Sequence, residues 1–365
     1  MKLRLTKGRV ALGLLAIVAA LPWILRVEPR RLDDEARRRM PCSFANLKDG
    51  RTCFDLEGKT PAEAVVFVHG FNSPSYVWGK LPSMLRESGF VTMTYDLYGR
   101  GGSDRPWVDY GVDLYDRQLE ALLRKAGFRR PVHLIGLSMG GIIATEFALR
   151  HPDLVASVTL IDPAGFQQEM PPLTGLLTAP LLGDWLMQVF RGRIALAAHA
   201  DLVHTKNRVG DLLRQFEPQF EFAGSRRALL STLRRMPLAD FTARYAELGR
   251  TTLPVELIWG RQDQVTPFSS STLATHLLPK ARLDAIDDAG HLAHYDQPDL
   301  VFGRLLPFLR SVDAPLQERL KGVGEDGIEA GAPKEDCREC AIQPAKRDGS
   351  YSRARVGKTV RDEDE

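Results

Sequence analysis

The chain has 365 residues with 49 basic and 46 acidic side chains, a formal net charge of +3, and 44% apolar residues. That content suffices for one domain of about 250–300 residues with extensions. Near-balanced charge, with no basic–aromatic pattern and no recognition motif, argues against DNA or RNA as a partner.

In chain order, Lys2, Arg4, Lys7 and Arg9 give residues 1–9 a basic flank. An uncharged stretch follows from Val10 to Leu25. As a helix it reaches about 24 Å, short for a bilayer and long for a signal-peptide core. Val18-Ala19-Ala20 offers a cleavage site, but Leu21 to Leu25 continues the apolar run, and Trp23 suits an interface. The expectation is a single N-terminal membrane anchor or signal segment over 10–25, the membrane as a partner, and the folded domain outside the cytoplasm. Residues 26–41 read as a linker.

Cys42 and Cys53 flank a hairpin centred on Lys48-Asp49-Gly50, and Asp-Gly is a strong turn signal. They read equally as a disulfide across that hairpin or as two free thiols. Strand-like runs are predicted at 43–46, 52–56, 64–68, 91–95, 132–135, 155–161, 255–259 and 282–286. Helical patterns such as Leu114 to Ala126 lie between most of them. This alternation predicts an α/β protein whose mostly parallel sheet is covered by helices on both faces. The first hairpin adds antiparallel strands at one edge.

The run Ala64 to Val68 is unbroken and apolar, as in a strand buried on both faces, and it ends in His69-Gly70-Phe71-Asn72. Gly99-Arg100-Gly101-Gly102-Ser103 matches neither a dinucleotide nor a P-loop pattern and reads as a turn. Gly136-Leu137-Ser138-Met139-Gly140 has the pattern G-x-S-x-G between a strand-like and a helix-like stretch. In that context Ser138 sits on a sharp turn with its hydroxyl in a cleft, where the free N–H groups of the following helix favour negative charge. Asp162 follows the strand at 155–161 and is the alternative acid.

From 166 to 250 the β/α alternation stops, and large apolar residues at helical spacing form a helical cap. Trp185 and Phe190 are taken as substrate-binding positions within it. Beyond the cap, Asp263 follows the run Val255 to Trp259, and His291 follows Arg282 to Ile286. Parallel sheets place their sites at such carboxyl ends. A serine nucleophile needs a base, and the base needs an orienting acid. Ser138, Asp263 and His291 stand in the order nucleophile, acid, base. Residues 312–365 read as a disordered charged tail, and its Cys337-x-x-Cys340 lacks the second pair a zinc site needs.

On His69 to Asn72, Asp96 to Ser103, Gly136 to Gly141, Gly260 to Asp263 and Gly290-His291, the chain resembles the α/β-hydrolase superfamily, in its cap-bearing esterase/lipase-like branch. The resemblance spans roughly residues 43–309. It implies an eight-stranded, mostly parallel sheet flanked by helices, with a core at 42–165 and 251–311 and the cap inserted at 166–250. It also implies a catalytic triad of Ser138, Asp263 and His291, and an oxyanion hole from the backbone N–H groups of Phe71 and Met139. His69 becomes a structural residue of its turn. The implied chemistry is two-step cleavage of a carboxylic ester through an acyl-enzyme, with no metal and no organic cofactor. An apolar cap beside an anchor points to an apolar or lipid-like ester, with small-molecule esters also open. Relatives cleaving C–C bonds usually carry Gly-Pro-Gly after the His-Gly turn, where this chain has Phe71-Asn72-Ser73-Pro74. A receptor-like binding protein is the rival from another class. Relatives with an aspartate nucleophile are set aside, because Ser138 occupies that position.

Overall fold

The structure is a computed structural model and describes residues 13, 16–21, 28–59, 62–167, 169–171, 173–190, 202–204 and 209–322. Eight strands form one sheet: β1 (Ser43–Leu47), β2 (Gly50–Glu57), β3 (Ala64–Val68), β4 (Val91–Tyr95), β5 (Val132–Leu137), β6 (Val155–Ile161), β7 (Val255–Gly260) and β8 (Arg282–Ile286). Their spatial order is β1-β2-β4-β3-β5-β6-β7-β8. β2 runs antiparallel to both β1 and β4, and every other pairing is parallel. All eight expected strands are present.

Side chains alternate across a strand, so β3 divides its residues between two cores. Val66 and Val68 enter a cluster with helices Val112–Lys125, Met139–Arg150 and Thr242–Arg250. Val65 and Phe67 enter a second cluster with helices Leu81–Glu87 and Pro298–Gly322. A strand covered on both sides must be apolar throughout, and all five β3 residues are buried. The helix 242–250 packs against the sheet's core through Tyr245 and Leu248, and Tyr245 hydroxyl donates to Ala164 O at 2.8 Å.

The expected N-terminal membrane anchor is not supported. Among the described residues, no helix is long and apolar enough to cross a membrane, which takes about 20 consecutive apolar residues. Within 10–25 only residues 13 and 16–21 are described, and they are helical; the remainder of that stretch lies outside the described residues. The carbonyl of Val18 accepts a hydrogen bond from Trp185 Nε1 at 2.9 Å, which ties this helix to the cap. The expectation of a domain held outside the cytoplasm by that anchor falls with it.

The expected linker is pinned at both ends. The Glu28 carboxylate accepts the N–H groups of Gly224 at 2.6 Å and Arg226 at 2.7 Å, at the start of the cap helix Ser225–Arg235. A carboxylate is well matched to those free donors. Arg37 pairs with Asp104 on the core. Cys42 and Cys53 form a disulfide, the first of the two readings of that pair.

The helix Pro298–Gly322 runs through the start of the expected tail. Asp313 Oδ1 accepts from His133 Nε2 at 2.7 Å, so this helix is fastened to β5 by a buried pair. The rest of the tail, with Cys337 and Cys340, lies outside the described residues.

Glu256, on β7, is a buried ionisable group. One oxygen faces Thr159 Oγ1 at 3.5 Å, and Arg282 approaches the other at 3.5 Å without forming a hydrogen bond. Burial pushes its carboxyl up to about 8 from an ordinary 4.5. A carboxyl raised on folding contributes stability below its unfolded value and loses it as pH rises through the folded one. Glu256→Gln is therefore expected to melt above wild type at pH 9 and to lose that advantage at pH 4. Thermal unfolding at the two pH values checks this, and an equal shift at both would contradict it.

Candidate active site

β5 runs into the helix Met139–Arg150 with a single residue, Ser138, between them. Its backbone has φ 53° and ψ −118°, where a residue with a Cβ is strained. Three hydrogen bonds hold the strain. Ser138 N–H donates to Ile161 O at 3.0 Å, and Ser138 O accepts from Gly141 at 2.9 Å and Ala164 at 3.2 Å. The flanking glycines allow the close approach: a Cβ on Gly140 would lie 1.9 Å from Val68 O, and one on Gly136 would lie 2.5 Å from Gly140 O.

Asp263 and His291 stand on loops after β7 and β8, and both are buried. Asp263 Oδ2 accepts from His291 Nδ1 at 2.8 Å. Its other oxygen accepts from the N–H groups of Val265 at 2.7 Å and Thr266 at 2.9 Å. The carboxylate is thus fixed in place, and a proton on Nδ1 leaves the Nε2 lone pair free. Thr266 hydroxyl donates to Asp263 Oδ2 at 2.6 Å and lies 3.1 Å from Nδ1. Sequence reasoning missed Thr266. An Asp whose side chain can accept from the N–H groups two and three residues on is the available signal.

Asp162, the alternative acid, follows β6 with φ 46°. Its oxygens accept from the backbone of Gly260 at 2.7 Å and Ala293 at 3.1 Å. It braces the end of β7 against the segment after His291. Burial, and next the charge of Asp263, raise its carboxyl well above the ordinary value. Asp296, also missed, accepts from Gly290 at 2.9 Å and from His204 at 2.8 Å, which fixes the His291 loop from both sides. His294 is buried against Trp78, and burial pushes it down to about 4, so this neighbouring imidazole stays neutral.

On the opposite wall, His69 Nε2 accepts from Leu97 N–H at 2.9 Å and Nδ1 donates to Gly70 O at 2.8 Å. Burial lowers its pKa to about 3, so the ring is neutral and acts as a brace for the turn. A Cβ on Gly70 would stand 3.4 Å from Ser138 Cβ, so this turn faces the serine. Phe71 lies in the turn and Met139 directly follows the serine. Asn72 reaches the same cavity, and its carbonyl accepts from Gln219 at 3.2 Å.

A cavity of about 430 Å³ brings Ser138, His291, Thr266 and Phe71 to one surface. Its cap wall is mostly apolar, including Leu177, Met187, Leu229 and Leu233, with Glu169 and Thr174 also on it. Trp185 and Phe190 are not among the lining residues. The buried positions of helix Leu182–Val189 are Gly183 and Met187, one turn apart, so its inward stripe excludes Trp185. Phe190, at the helix end, is 46% exposed. Among the described residues no cluster of His, Cys, Asp or Glu could hold a metal ion.

Residues 63–298 match the family model for the alpha/beta hydrolase fold. An uncharacterized protein of Mycobacterium tuberculosis is 28% identical over 271 residues, covering 70% of this chain and 77% of that one. Monoacylglycerol lipase abhd6-B of Xenopus laevis is 25% identical over 294 residues, covering 75% of this chain and 84% of that one. A thermophilic esterase from Thermogutta terrifontis superposes with a TM-score of 0.63 at 22% identity, covering 74% of this chain and 98% of that one, a likeness of fold.

Because a Cβ at 140 would meet the carbonyl of Val68, Gly140→Ala is expected to cost about 3 kcal/mol or more. Urea unfolding measures this; an unchanged midpoint would show that β3 and the turn are not in contact.

Proposed function

This chain belongs to the alpha/beta-hydrolase family, and on that premise we propose that it is a serine hydrolase of carboxylic esters. Ser138 is the nucleophile, His291 the general base and acid, and Asp263 the group that orients His291. The observation that carries this reading is the 2.8 Å bond between His291 and Asp263, beside the cavity that Ser138 also lines.

His291 Nε2 takes the Ser138 proton as Oγ attacks the ester carbonyl. The backbone N–H groups of Phe71 and Met139 receive the oxyanion, and removing one such donor typically costs about 2.7–4 kcal/mol. Asp263 stabilises the imidazolium without itself being protonated. His291 then protonates the departing alcohol. Water, activated by the same nitrogen, attacks the acyl-enzyme and releases the acid. A buried site raises the worth of each charge–dipole contact over its value in water.

The mostly apolar cap wall supports an apolar acyl group as the substrate half held inside, and the cavity volume lies in the usual range for small-molecule sites. The name of the Xenopus relative, a monoacylglycerol lipase, is in keeping with that class.

Steady-state hydrolysis of 4-nitrophenyl esters from acetate to decanoate tests this. Turnover by wild type is expected, with kcat/KM rising along the series before it falls, and Ser138→Ala is expected to lose at least about 10³-fold. Folded wild type without turnover on any ester, or a Ser138→Ala variant that keeps it, would overturn the reading.

A further inference from the structure

The turn at 99–103 contains a buried cation that the proposed reaction does not use. Arg100 is 0% exposed, and among the described residues it forms no ion pair with a carboxylate. Burying an uncompensated guanidinium is costly, so the contacts it makes in exchange are informative. Nε donates to the carbonyl of Phe71 at 2.9 Å, and the guanidinium lies over the Phe71 ring, 5.3 Å from its centroid. Nη1 donates to Tyr115 hydroxyl at 2.8 Å and Thr232 Oγ1 at 2.9 Å, with Tyr98 O at 3.3 Å. Nη2 has no partner. Thr232 belongs to the cap helix Ser225–Arg235, and Tyr115 belongs to the core helix Val112–Lys125.

We propose that Arg100 is the positioning residue of the oxyanion hole, holding the Phe71 peptide toward Ser138 and joining it to the cap through Thr232. The inference rests on the reading of Ser138 as nucleophile. The captured carbonyl belongs to the Phe71–Asn72 peptide and the N–H that receives the oxyanion to the Gly70–Phe71 peptide, so holding the carbonyl and the ring of Phe71 leaves only its φ and ψ to turn the second against the first. The planar fork suits this role: Nε points toward the turn while Nη1, fixed in the same plane, points toward the core helix and the cap helix. The positive charge also stands behind the turn that receives the oxyanion, where a full negative charge forms only during the reaction. Tyr115 and Thr232 are themselves bonded at 3.0 Å, so the Nη1 end is locked independently of the turn.

The test compares wild type with Arg100→Met and Arg100→Lys. Two inhibitors sharing one alkyl chain are used: a trifluoromethyl ketone and the corresponding secondary alcohol. Ser138 Oγ adds to the ketone carbonyl, its proton passes to His291, and the negative charge rests on the former carbonyl oxygen. The alcohol fills the cavity without forming an oxyanion. The expected result for folded Arg100→Met is a loss in kcat on the order of a hundredfold, a parallel loss of ketone affinity, and a KM and alcohol affinity within threefold of wild type. If Arg100→Met does not fold, Arg100→Lys carries the test, with the same split expected, because a lysine keeps charge without the fork. Ketone affinity and kcat at wild-type levels in a folded variant would overturn the proposal. So would equal losses of ketone and alcohol, which would mark Arg100 as a shaper of the cavity only. Wild type that hydrolyses no ester and binds no ketone would instead overturn the nucleophile reading.

Discussion

Ser138 is held in a backbone conformation that costs about 1–3 kcal/mol for a residue with a side chain, and the rest of the site is arranged around that turn. Its φ of 53° turns the side chain out of the sheet and into the cavity instead of letting β5 continue. The strain survives because Ile161, Gly141 and Ala164 each hold a backbone atom of the serine. It also requires the absence of two methyl groups, at 136 and 140, where β3 and the helix after β5 come close. Strand order follows from the same requirement. β5 is central, flanked by β3 and β6, so that the turn at 69–72 and the Asp162 turn both border the serine.

Asp263, Asp162 and Arg100, three ionisable groups around the site, are restrained by backbone groups and hydroxyls. Asp263 has two N–H groups, a hydroxyl and an imidazole. Asp162 stands next to it with two N–H groups, and its raised carboxyl limits the repulsion between the pair. Arg100 stands on the other wall with a carbonyl and two hydroxyls. Groups held in this way need little reorganisation, which under the proposed reaction is the condition for electrostatic catalysis as charge moves between Ser138 and His291.

Much of this is legible in the residues themselves. The runs 64–68, 132–137, 155–161 and 255–260 are buried throughout, and each is apolar apart from His133, Ser157, Thr159 and Glu256, a composition that suits strands covered on both faces. Ser138, Asp263 and His291 follow strand ends, so topology brings them to the same edge of the sheet. The cavity wall was less legible. Which side of helix 182–189 faces inward depends on the close approach to Leu177 O that Gly183 permits, a contact no periodicity reveals. The strap at 28–30 depends on a few polar bonds to residues some 190 positions away. Hydropathy makes 10–25 an anchor, yet within it the helix at 16–21 is bonded to Trp185. The charged composition after 312 gives no sign that a helix continues to Gly322, pinned by one aspartate to His133.

The most direct measurement of the central claim is reaction of the full chain with a fluorophosphonate, followed by mass spectrometry of the digested adduct. Such a probe phosphonylates a serine only when its neighbours activate it. The account predicts one adduct, on Ser138, that is absent from Ser138→Ala and slowed in Asp263→Asn. A folded wild-type chain that takes up no probe, or takes it up at another serine, would contradict it.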